Sequence, residues 1–347
     1  MIKKGDHYLI RSTRKNVLER STSGGLVPEL LGYLIASQRA SAALCHTAEG
    51  DMIKPYFLTD QSKVCEVCGS KFIAFQNLPQ IMRDSIITGQ IAVVVKPCES
   101  RAVMWLKKNG IIKGDPWLIG LNCGGVLDPK EAMTILSRHG KKMGHIHHIE
   151  FQDEYLIYHF DDNSVLRVPF AESGLRDSCK RCIVPIPSNV DIGVGYWGAQ
   201  GKYTYTVVIS DRAEEALNEM LRLGVIEVIQ ADESARKLRE QMIRMRIMCG
   251  EKYREMKLSL IDQVDVGEIL NRCILCYECW TNCPVRTGHV PSHGTTSPVL
   301  WQIGVINYMI DKCIECGACE DSCPVNIPFE LFIQKTRQIK ANIEKKR

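Results

Sequence analysis

The chain has 347 residues, of which 45% are hydrophobic, and its 44 lysine and arginine residues nearly balance 40 aspartate and glutamate residues. That length allows two domains or one domain with an added module, and the net charge of +4 is too small to indicate nucleic-acid binding. No apolar run approaches the roughly 20 residues needed to cross a bilayer, and the N-terminus lacks the apolar core of a secretory signal. Sixteen cysteines without an export signal indicate reduced thiolates and metal, so we expect a location in the cytoplasm of an anaerobe.

The first 232 residues have the pattern of an α/β domain with a mixed sheet. A small-residue turn at residues 21–25 leads into an apolar repeat with helical spacing. Two short apolar runs, Ile91–Val95 and Trp117–Leu121, are typical of buried strands. Strands that alternate with helices, with functional residues at the strand ends, indicate an α/β sheet.

Further along this domain the pattern predicts a hairpin and one more helix and strand. Alternating residues at 145–170 flank a turn signal at 161–164, which predicts a β-hairpin. An acidic start at residue 211 predicts a helix to residue 220, followed by a strand at 225–229.

A charged segment separates this domain from the C-terminal part. We expect a charged helical linker at residues 233–261 and a ferredoxin-like domain with a basic C-terminal helix at 262–347. Basic residues concentrate between residues 236 and 257. They form either a solvated helix face or a docking surface for a partner subunit or an anionic cofactor.

The C-terminal part contains two copies of a C-x2-C-x2-C-x3-C-P pattern. The copies are Cys273, Cys276, Cys279 and Cys283-Pro284, then Cys313, Cys316, Cys319 and Cys323-Pro324. In two-cluster bacterial ferredoxins with this spacing, three close thiolates and one from the other copy hold each 4Fe–4S cluster. We therefore expect Cys323 to join the first three cysteines and Cys283 to join the second three. Zinc sites and disulfides are the alternatives, but zinc takes two CxxC pairs rather than this run.

The segment between the two copies has two features of interest. An apolar stretch at residues 297–310 is expected to pack against both clusters and to keep water from them. His289 and His293 stand four residues apart and are candidate ligands, but Pro291 between them argues against a shared helical face.

A third cysteine group is predicted in the first domain. Cys179 and Cys182 form a CxxC pair, which alone suits a redox dithiol, half a zinc site or half a cluster site. Cys98 follows one predicted strand and Cys123 follows another, so both are expected at one edge of the sheet. Four cysteines from three places can then close a third 4Fe–4S site.

These motifs, in this order, resemble the coenzyme F420 hydrogenase/dehydrogenase β-subunit family. The resemblance rests on Ser23-Gly24-Gly25, Gly69-Ser70-Lys71, Pro97-Cys98, Cys123, and the CxxC pair followed by a DIGVGxxG segment at 191–198. The form CKRCIVPIPSNVDIGVGYWG looks closest to the β subunits of F420-dependent formate dehydrogenases. In that subgroup too, a two-cluster module follows the flavin domain.

The resemblance implies an α/β flavin-binding domain that holds FAD beside a 4Fe–4S cluster on Cys98, Cys123, Cys179 and Cys182. It also implies hydride exchange between FAD and the deazaflavin coenzyme F420, with single electrons passing through the clusters. Positions carried over as cofactor contacts are Ser23, Gly24, Gly25, Gly69, Ser70, Lys71, Lys96, Arg101, Gly193, Gly195 and Gly198. Turn-forming glycines and solvated basic side chains are the alternatives at these positions.

The partner implied by the resemblance is a large catalytic oxidoreductase subunit. A formate dehydrogenase α chain is expected, and a hydrogenase or heterodisulfide reductase is the alternative. A second hypothesis is an electron-transfer adaptor with flavin and clusters but no deazaflavin site, and a third is a zinc-stabilised interaction protein. Cys65 and Cys68 form a further CxxC pair outside the family pattern, either surface thiols or a metal half-site or redox pair.

Overall fold

The computed structural model describes residues 1–49, 52–73, 78–84, 89–152, 154–262, 265–287 and 297–345. His289 and His293 lie outside these residues. The described strands are β1 (His7–Ser12), β2 (Ala42–Glu49), β3 (Met52–Leu58), β4 (Ile91–Val95), β5 (Trp117–Leu121), β6 (Ile146–Gln152), β7 (Tyr155–Phe160), β8 (Val165–Pro169), β9 (Ile192–Gly195), β10 (Thr204–Val208) and β11 (Ile226–Gln230). The described helices are α1 (Lys15–Arg20), α2 (Leu26–Ala36), α3 (Leu78–Asp84), α4 (Pro97–Lys108), α5 (Pro129–Arg138), α6 (Asp177–Arg181), α7 (Asp211–Arg222), α8 (Glu233–Ile261), α9 (Val266–Asn271), α10 (Glu278–Thr281), α11 (Pro298–Met309), α12 (Ala318–Asp321) and α13 (Phe329–Lys345).

A mixed sheet forms the centre of the first domain. Its eight strands lie in the order β11-β1-β10-β9-β5-β4-β2-β3. The four strands β2, β4, β5 and β9 are parallel, and antiparallel strands flank them on both sides. The predicted strands Ile91–Val95 and Trp117–Leu121 are confirmed as β4 and β5. Because they are parallel neighbours, the residues that follow them emerge at the same edge of the sheet.

The predicted hairpin at residues 145–170 is instead a three-stranded antiparallel sheet. Its order is β6-β7-β8, and the predicted turn at 161–164 joins the last two strands. Within that turn the Asp162 carboxylate accepts a hydrogen bond of 2.9 Å from the Ser164 backbone N–H. The prediction missed the first strand boundary because β6 and β7 both carry alternating apolar residues, and the pattern reads as one long strand.

The remainder of the chain adds a long helix and a compact helical module. Residues 233–261 form the single helix α8, whose N-terminus is capped by the Asp232 side chain. The predicted helix from residue 211 and strand after residue 225 are confirmed as α7 and β11. The domain boundaries at residues 232 and 261 stay a prediction. Among the described helices, none is long and apolar enough to span a membrane.

The module that follows α8 is built around its cysteines. Helix α11 buries Trp301, Val305 and Met309 in a core that also contains cysteines of both repeated motifs. This confirms that the apolar stretch between the motifs packs against both cysteine groups. All sixteen cysteines of the chain lie in described residues and are free thiols, so no disulfide holds the module together.

Candidate functional site

A cavity of about 200 Å³ opens at the edge where the parallel strands end. Its walls come from the ends of β4 and β5, the N-terminus of α2 and the segment from Val67 to Ile73. Of the residues predicted to contact a cofactor, six line it: Ser23, Gly25, Gly69, Ser70, Lys71 and Lys96. Cys123, predicted as a cluster ligand, lines it as well. The cavity therefore lies at the carboxyl ends of the parallel strands, where α/β sheets normally bind their ligands.

The N-terminus of α2 provides one wall of this cavity. Gly25 caps the helix with φ +73°, a backbone conformation that L residues with a side chain rarely adopt. No side chain caps this helix, and Leu26 and Val27 of its first turn also line the cavity. Unpaired N–H groups and the helix dipole make such an end suitable for an anion such as a phosphate.

Two lysines bring positive charge to the cavity. The Lys71 ammonium donates to the backbone carbonyls of Cys68 and His147, and burial lowers the pKa of Lys71 to about 8. Lys96 donates to Glu99 at 2.7 Å, and Glu99 is almost fully buried. Burial acts to lower the pKa of Lys96, but attraction to Glu99 and Cys98 outweighs it, so this pKa is raised. Lys96 therefore stays charged beside the thiols at the end of β4.

One buried acceptor in the cavity wall lacks a partner. Asn122 follows β5 and lines the cavity, and its Oδ1 atom is buried without a hydrogen bond from the described residues. A buried polar atom of this kind costs free energy unless a ligand or water satisfies it. Together with the helix N-terminus and Lys71, it gives the cavity one hydrogen-bond acceptor and two groups suited to an anion.

The structure brings together the four cysteines predicted to form a third cluster. Cys98 lies in the first turn of α4, Cys123 follows β5, and α6 leads through Cys179 to Cys182. Burial raises the pKa of Cys98 to about 12, and the nearby Cys179 and Cys182 thiolates raise it further. Burial also raises the pKa of Cys123, as do Cys179 and Cys98. Because this repulsion weakens with distance, the four sulfurs share one region, and a 4Fe–4S cluster takes four such thiolates.

The C-terminal cysteines associate in the crossed pattern expected from their spacing. The pKa of Cys279 is raised to about 12 by burial and then by Cys273, Cys323 and Cys276. Cys283 instead lies among the second motif, because its thiolate raises the pKa of Cys316 and of Cys319. Each group of four thiols thus combines three residues of one motif with the last cysteine of the other.

The first and second domains meet at their cysteines. Arg101 of α4, the helix that carries Cys98, donates to the Ile314 carbonyl in the second motif, and the Cys98 thiolate adds to burial in raising the pKa of Cys316, so the two cysteine-bearing segments adjoin across the domain boundary. Arg176 crosses the same boundary, since it donates to the Cys316 carbonyl at 3.0 Å and pairs with Asp321. Arg181 is fully buried and pairs with Glu320 at 2.6 Å. These contacts fix the helix that carries Cys179 against the C-terminal module.

Five of the residues predicted as cofactor contacts lie elsewhere. Gly24 packs between the Ile10 carbonyl and the Thr204 amide, Gly195 against Asn122, and Gly198 against α8. Gly193 is inside β9. Arg101 donates to the Ile314 carbonyl in the C-terminal module, and its charge partly opposes the burial that raises the pKa of Cys182, so it belongs to the cluster region rather than the cavity.

Several residues at these sites were not predicted. Arg176 precedes the CxxC pair and Arg181 lies between its two cysteines, and this concentration of basic residues at a cysteine pair was the available signal. Gln302 is the buried amide in the apolar stretch of α11, and its Nε2 atom donates to Cys273 Sγ at 2.7 Å. Asn122 had no signal beyond its place next to Cys123.

Comparison with known sequences places the chain in a family. Residues 7–82 and 88–234 match the N-terminal and C-terminal descriptions of the coenzyme F420 hydrogenase/dehydrogenase β subunit. Residues 266–335 match a 4Fe–4S dicluster domain. The fold and site therefore define an iron–sulfur oxidoreductase subunit. The chain belongs to the coenzyme F420 hydrogenase/dehydrogenase β-subunit family.

Curated relatives and a solved structure agree with this assignment. The chain is 28% identical to the F420-dependent formate dehydrogenase subunit beta of Methanocaldococcus jannaschii, over 80% of this chain and 76% of the relative. Identity and coverage are the same for the F420-dependent formate dehydrogenase 1 subunit beta of Methanococcus maripaludis. A chain of the F420-reducing NiFe hydrogenase complex of Methanosarcina barkeri shares the fold, with a TM-score of 0.62 and 16% identity. That match covers 75% of this chain and 96% of the other.

Proposed function

We propose that this chain binds FAD in the cavity, exchanges hydride there with coenzyme F420, and passes single electrons through three 4Fe–4S clusters to a partner. The observation that supports the proposal is that the cavity, the first cysteine group and the dicluster module adjoin one another in series. The cavity wall contains Cys123, the group of Cys123 contains Cys98, and the segment of Cys98 adjoins that of Cys316 in the dicluster module. A flavin supplies the chemistry that joins a two-electron hydride to one-electron clusters.

In this proposal the chain's own residues hold and orient the cofactors. The α2 N-terminus and Lys71 bind the diphosphate of FAD, and Asn122 Oδ1 accepts a hydrogen bond from the flavin ring. The Lys96 ammonium is held by Glu99, and Lys96 lies in the cavity wall, two residues before Cys98 in the chain. The twelve thiolates of the three groups hold the iron.

The order of the three cysteine groups gives the electron path a direction in space. The group of Cys98 adjoins the cavity, the group of Cys316 adjoins the first group, and the group of Cys273 is the last. Cys276 of that last group is exposed. We therefore infer that a partner exchanges electrons at the surface around Cys276.

The partner we propose is a catalytic chain of a formate dehydrogenase. Both curated relatives carry that name, and no pterin-binding or nickel motif is recognisable in this sequence. Formate chemistry would therefore take place on the other chain. The β subunit would deliver or remove the electrons.

An anaerobic assay tests this function directly. The protein is loaded with FAD, iron and sulfide and mixed with reduced coenzyme F420 and a viologen dye. We expect catalytic return of the visible absorbance of the coenzyme together with reduction of the dye. A fully loaded protein without turnover would refute hydride exchange with this coenzyme and support the adaptor hypothesis.

Iron content tests the third cluster separately. Cys179→Ala should remove about four irons per chain, since one missing ligand destabilises one cluster. The exposed Cys249, which lies in α8 outside all three groups, provides the control. Cys249→Ala should leave the iron content unchanged, and equal iron in both variants would contradict the third cluster.

A further inference from the structure

Cys65 and Cys68 form a separate pair on a single helical turn. They lie on and directly after a 3₁₀ helix, Gln61–Val67, whose start is capped by the Asp60 side chain. A 3₁₀ helix has three residues per turn, so side chains three positions apart lie above one another. With a rise of about 2 Å per residue, their Cα atoms stand roughly 6 Å apart, within the range that a disulfide spans.

The two thiols differ in exposure. Cys65 is half-buried, and its sulfur accepts a hydrogen bond of 3.4 Å from Asn16 Nδ2. Cys68 is 4% exposed, and its thiol donates to the Val64 carbonyl at 3.4 Å. Burial, and then the neighbouring Cys65, raise the pKa of Cys68 to about 12. An accessible first thiol beside a protected second thiol is the arrangement of dithiols that undergo exchange.

Positive charge surrounds the pair. Arg14, held by Glu29 at 2.6 Å, also interacts electrostatically with both Cys65 and Cys68. The charges of Arg20 and Lys71 also act on Cys68 and partly oppose the burial that raises its pKa. These cations stabilise the negative sulfur that attacks a disulfide and the one that leaves it.

We propose that Cys65 and Cys68 are a dithiol site that exchanges with low-molecular-weight disulfides. The Cys65 thiolate attacks the disulfide, forms a mixed disulfide and releases one thiol. The Cys68 thiol then loses its proton, attacks the Cys65 sulfur and releases the second thiol. Two protein thiols and one small disulfide thus become one protein disulfide and two small thiols, with no other oxidant.

This site is distinct from the proposed flavin chemistry. Val67 and Gly69 line the cavity, whereas Cys65 and Cys68 are not among its lining residues. The exchange therefore needs neither flavin nor clusters. It places a covalent bond directly behind one wall of the cavity.

The test uses the full chain with its clusters, kept anaerobic and treated with hydroxyethyl disulfide. After acid quenching and alkylation, tryptic peptides are weighed by mass spectrometry. Residues 64–71 form one peptide that contains only Cys65 and Cys68, and residues 247–252 contain only the exposed Cys249. We expect the first peptide to lose two hydrogen atoms without gaining a blocking group. The second peptide should gain the mixed disulfide, because Cys249 has no neighbouring thiol in its turn.

Two variants identify the order of attack. Cys68→Ser should trap Cys65 as the mixed disulfide, and Cys65→Ser should leave Cys68 unmodified because it is buried. Cys249→Ser is the control and should leave the reaction of the pair unchanged, with iron per chain compared in all samples. If Cys249 reacts while the wild-type pair stays reduced, or if the purified pair holds a zinc ion that blocks the reaction, the proposal is wrong. The comparison of the two peptides in the wild-type protein tests the proposal even if a variant fails to fold.

Discussion

Gln302 is expected to raise the reduction potential of the cluster proposed on the group of Cys273. Its side chain is 1% exposed and its Nε2 atom lies 2.7 Å from Cys273 Sγ. Reduction of a cluster places more negative charge on its sulfurs, so an N–H donor stabilises the reduced state more than the oxidised state. The Gln302 donor is buried in helix α11, and water cannot readily replace it when it is removed.

The expected shift can be worked from this one contact. A hydrogen bond to a charged group contributes about 1.5–3 kcal/mol, of which only part differs between the two oxidation states. If roughly 1–1.4 kcal/mol differs, a one-electron couple shifts by about 40–60 mV. Gln302→Met keeps a similar volume without a donor. It should therefore make the potential of this cluster more negative by that amount.

Redox titration followed by electron paramagnetic resonance measures the potential of each cluster. Asn307→Leu provides a control, because it removes an exposed amide from the same helix. The control should leave all potentials in place, and Gln302→Met should shift one cluster only. The free energy of unfolding should change little, since Gln302 Oε1 already lacks a hydrogen-bond partner among the described residues. Equal potentials in wild type and Gln302→Met would refute the argument.

Three further predictions follow from buried contacts, and an exposed glycine provides the control for the first. Gly250→Ala should destabilise the protein and lower its iron content, because the new Cβ would lie 2.3 Å from the Cys182 carbonyl. Gly304→Ala, in an exposed helical position with nothing within 4 Å, should instead stabilise it by up to about 1 kcal/mol in thermal unfolding. FAD affinity, measured by fluorescence quenching, should fall as the pH rises through about 8, because burial lowers the pKa of Lys71 to that value and its charge is then lost. Lys71→Met should weaken FAD binding at pH 7 and remove this part of the pH dependence. If the affinity of the variant for FAD still falls through pH 8 as in the wild type, Lys71 is not the group responsible. Arg181→Met should cost about 3–5 kcal/mol in chemical unfolding, because it leaves the partly buried Glu320 and the fully buried Glu330 without their partner.

The features predicted correctly from sequence are those set by local spacing. The repeat of Cys273 and Cys313 predicted the crossed association, because two-residue gaps let a tight loop hold three corners of a cluster while the fourth corner faces the other motif. Strands β4 and β5 were recognisable from short apolar runs, and their parallel pairing brought Cys98 and Cys123 to one edge. The grouping of cysteines in the C-terminal module can therefore be predicted almost entirely from their local spacing.

The features that sequence could not predict depend on residues far apart in the chain. Gly198 was assigned to a cofactor, but its neighbour is the Ala235 carbonyl of α8, and nothing in a DIGVGxxG segment indicates which surface approaches each glycine. Asn122 is a typical turn residue until the cavity shows that its Oδ1 atom has no partner. In both cases the role is determined by tertiary contacts rather than by the local sequence.

The contact between the two domains shows why the third cysteine group needs the whole chain. Helix α6 is only five residues long and has no side-chain cap, so its own hydrogen bonds cannot hold Cys179 in place. Arginines at its two ends supply the missing constraint: Arg176 at the N-cap binds the Cys316 carbonyl and Asp321, and the fully buried Arg181 in its last turn binds Glu320. A buried ion pair contributes little net stability, but it requires one specific arrangement of its partners. The same ion pairs that position Cys179 therefore also set the distance between the first and second cysteine groups, on which electron transfer between them would depend.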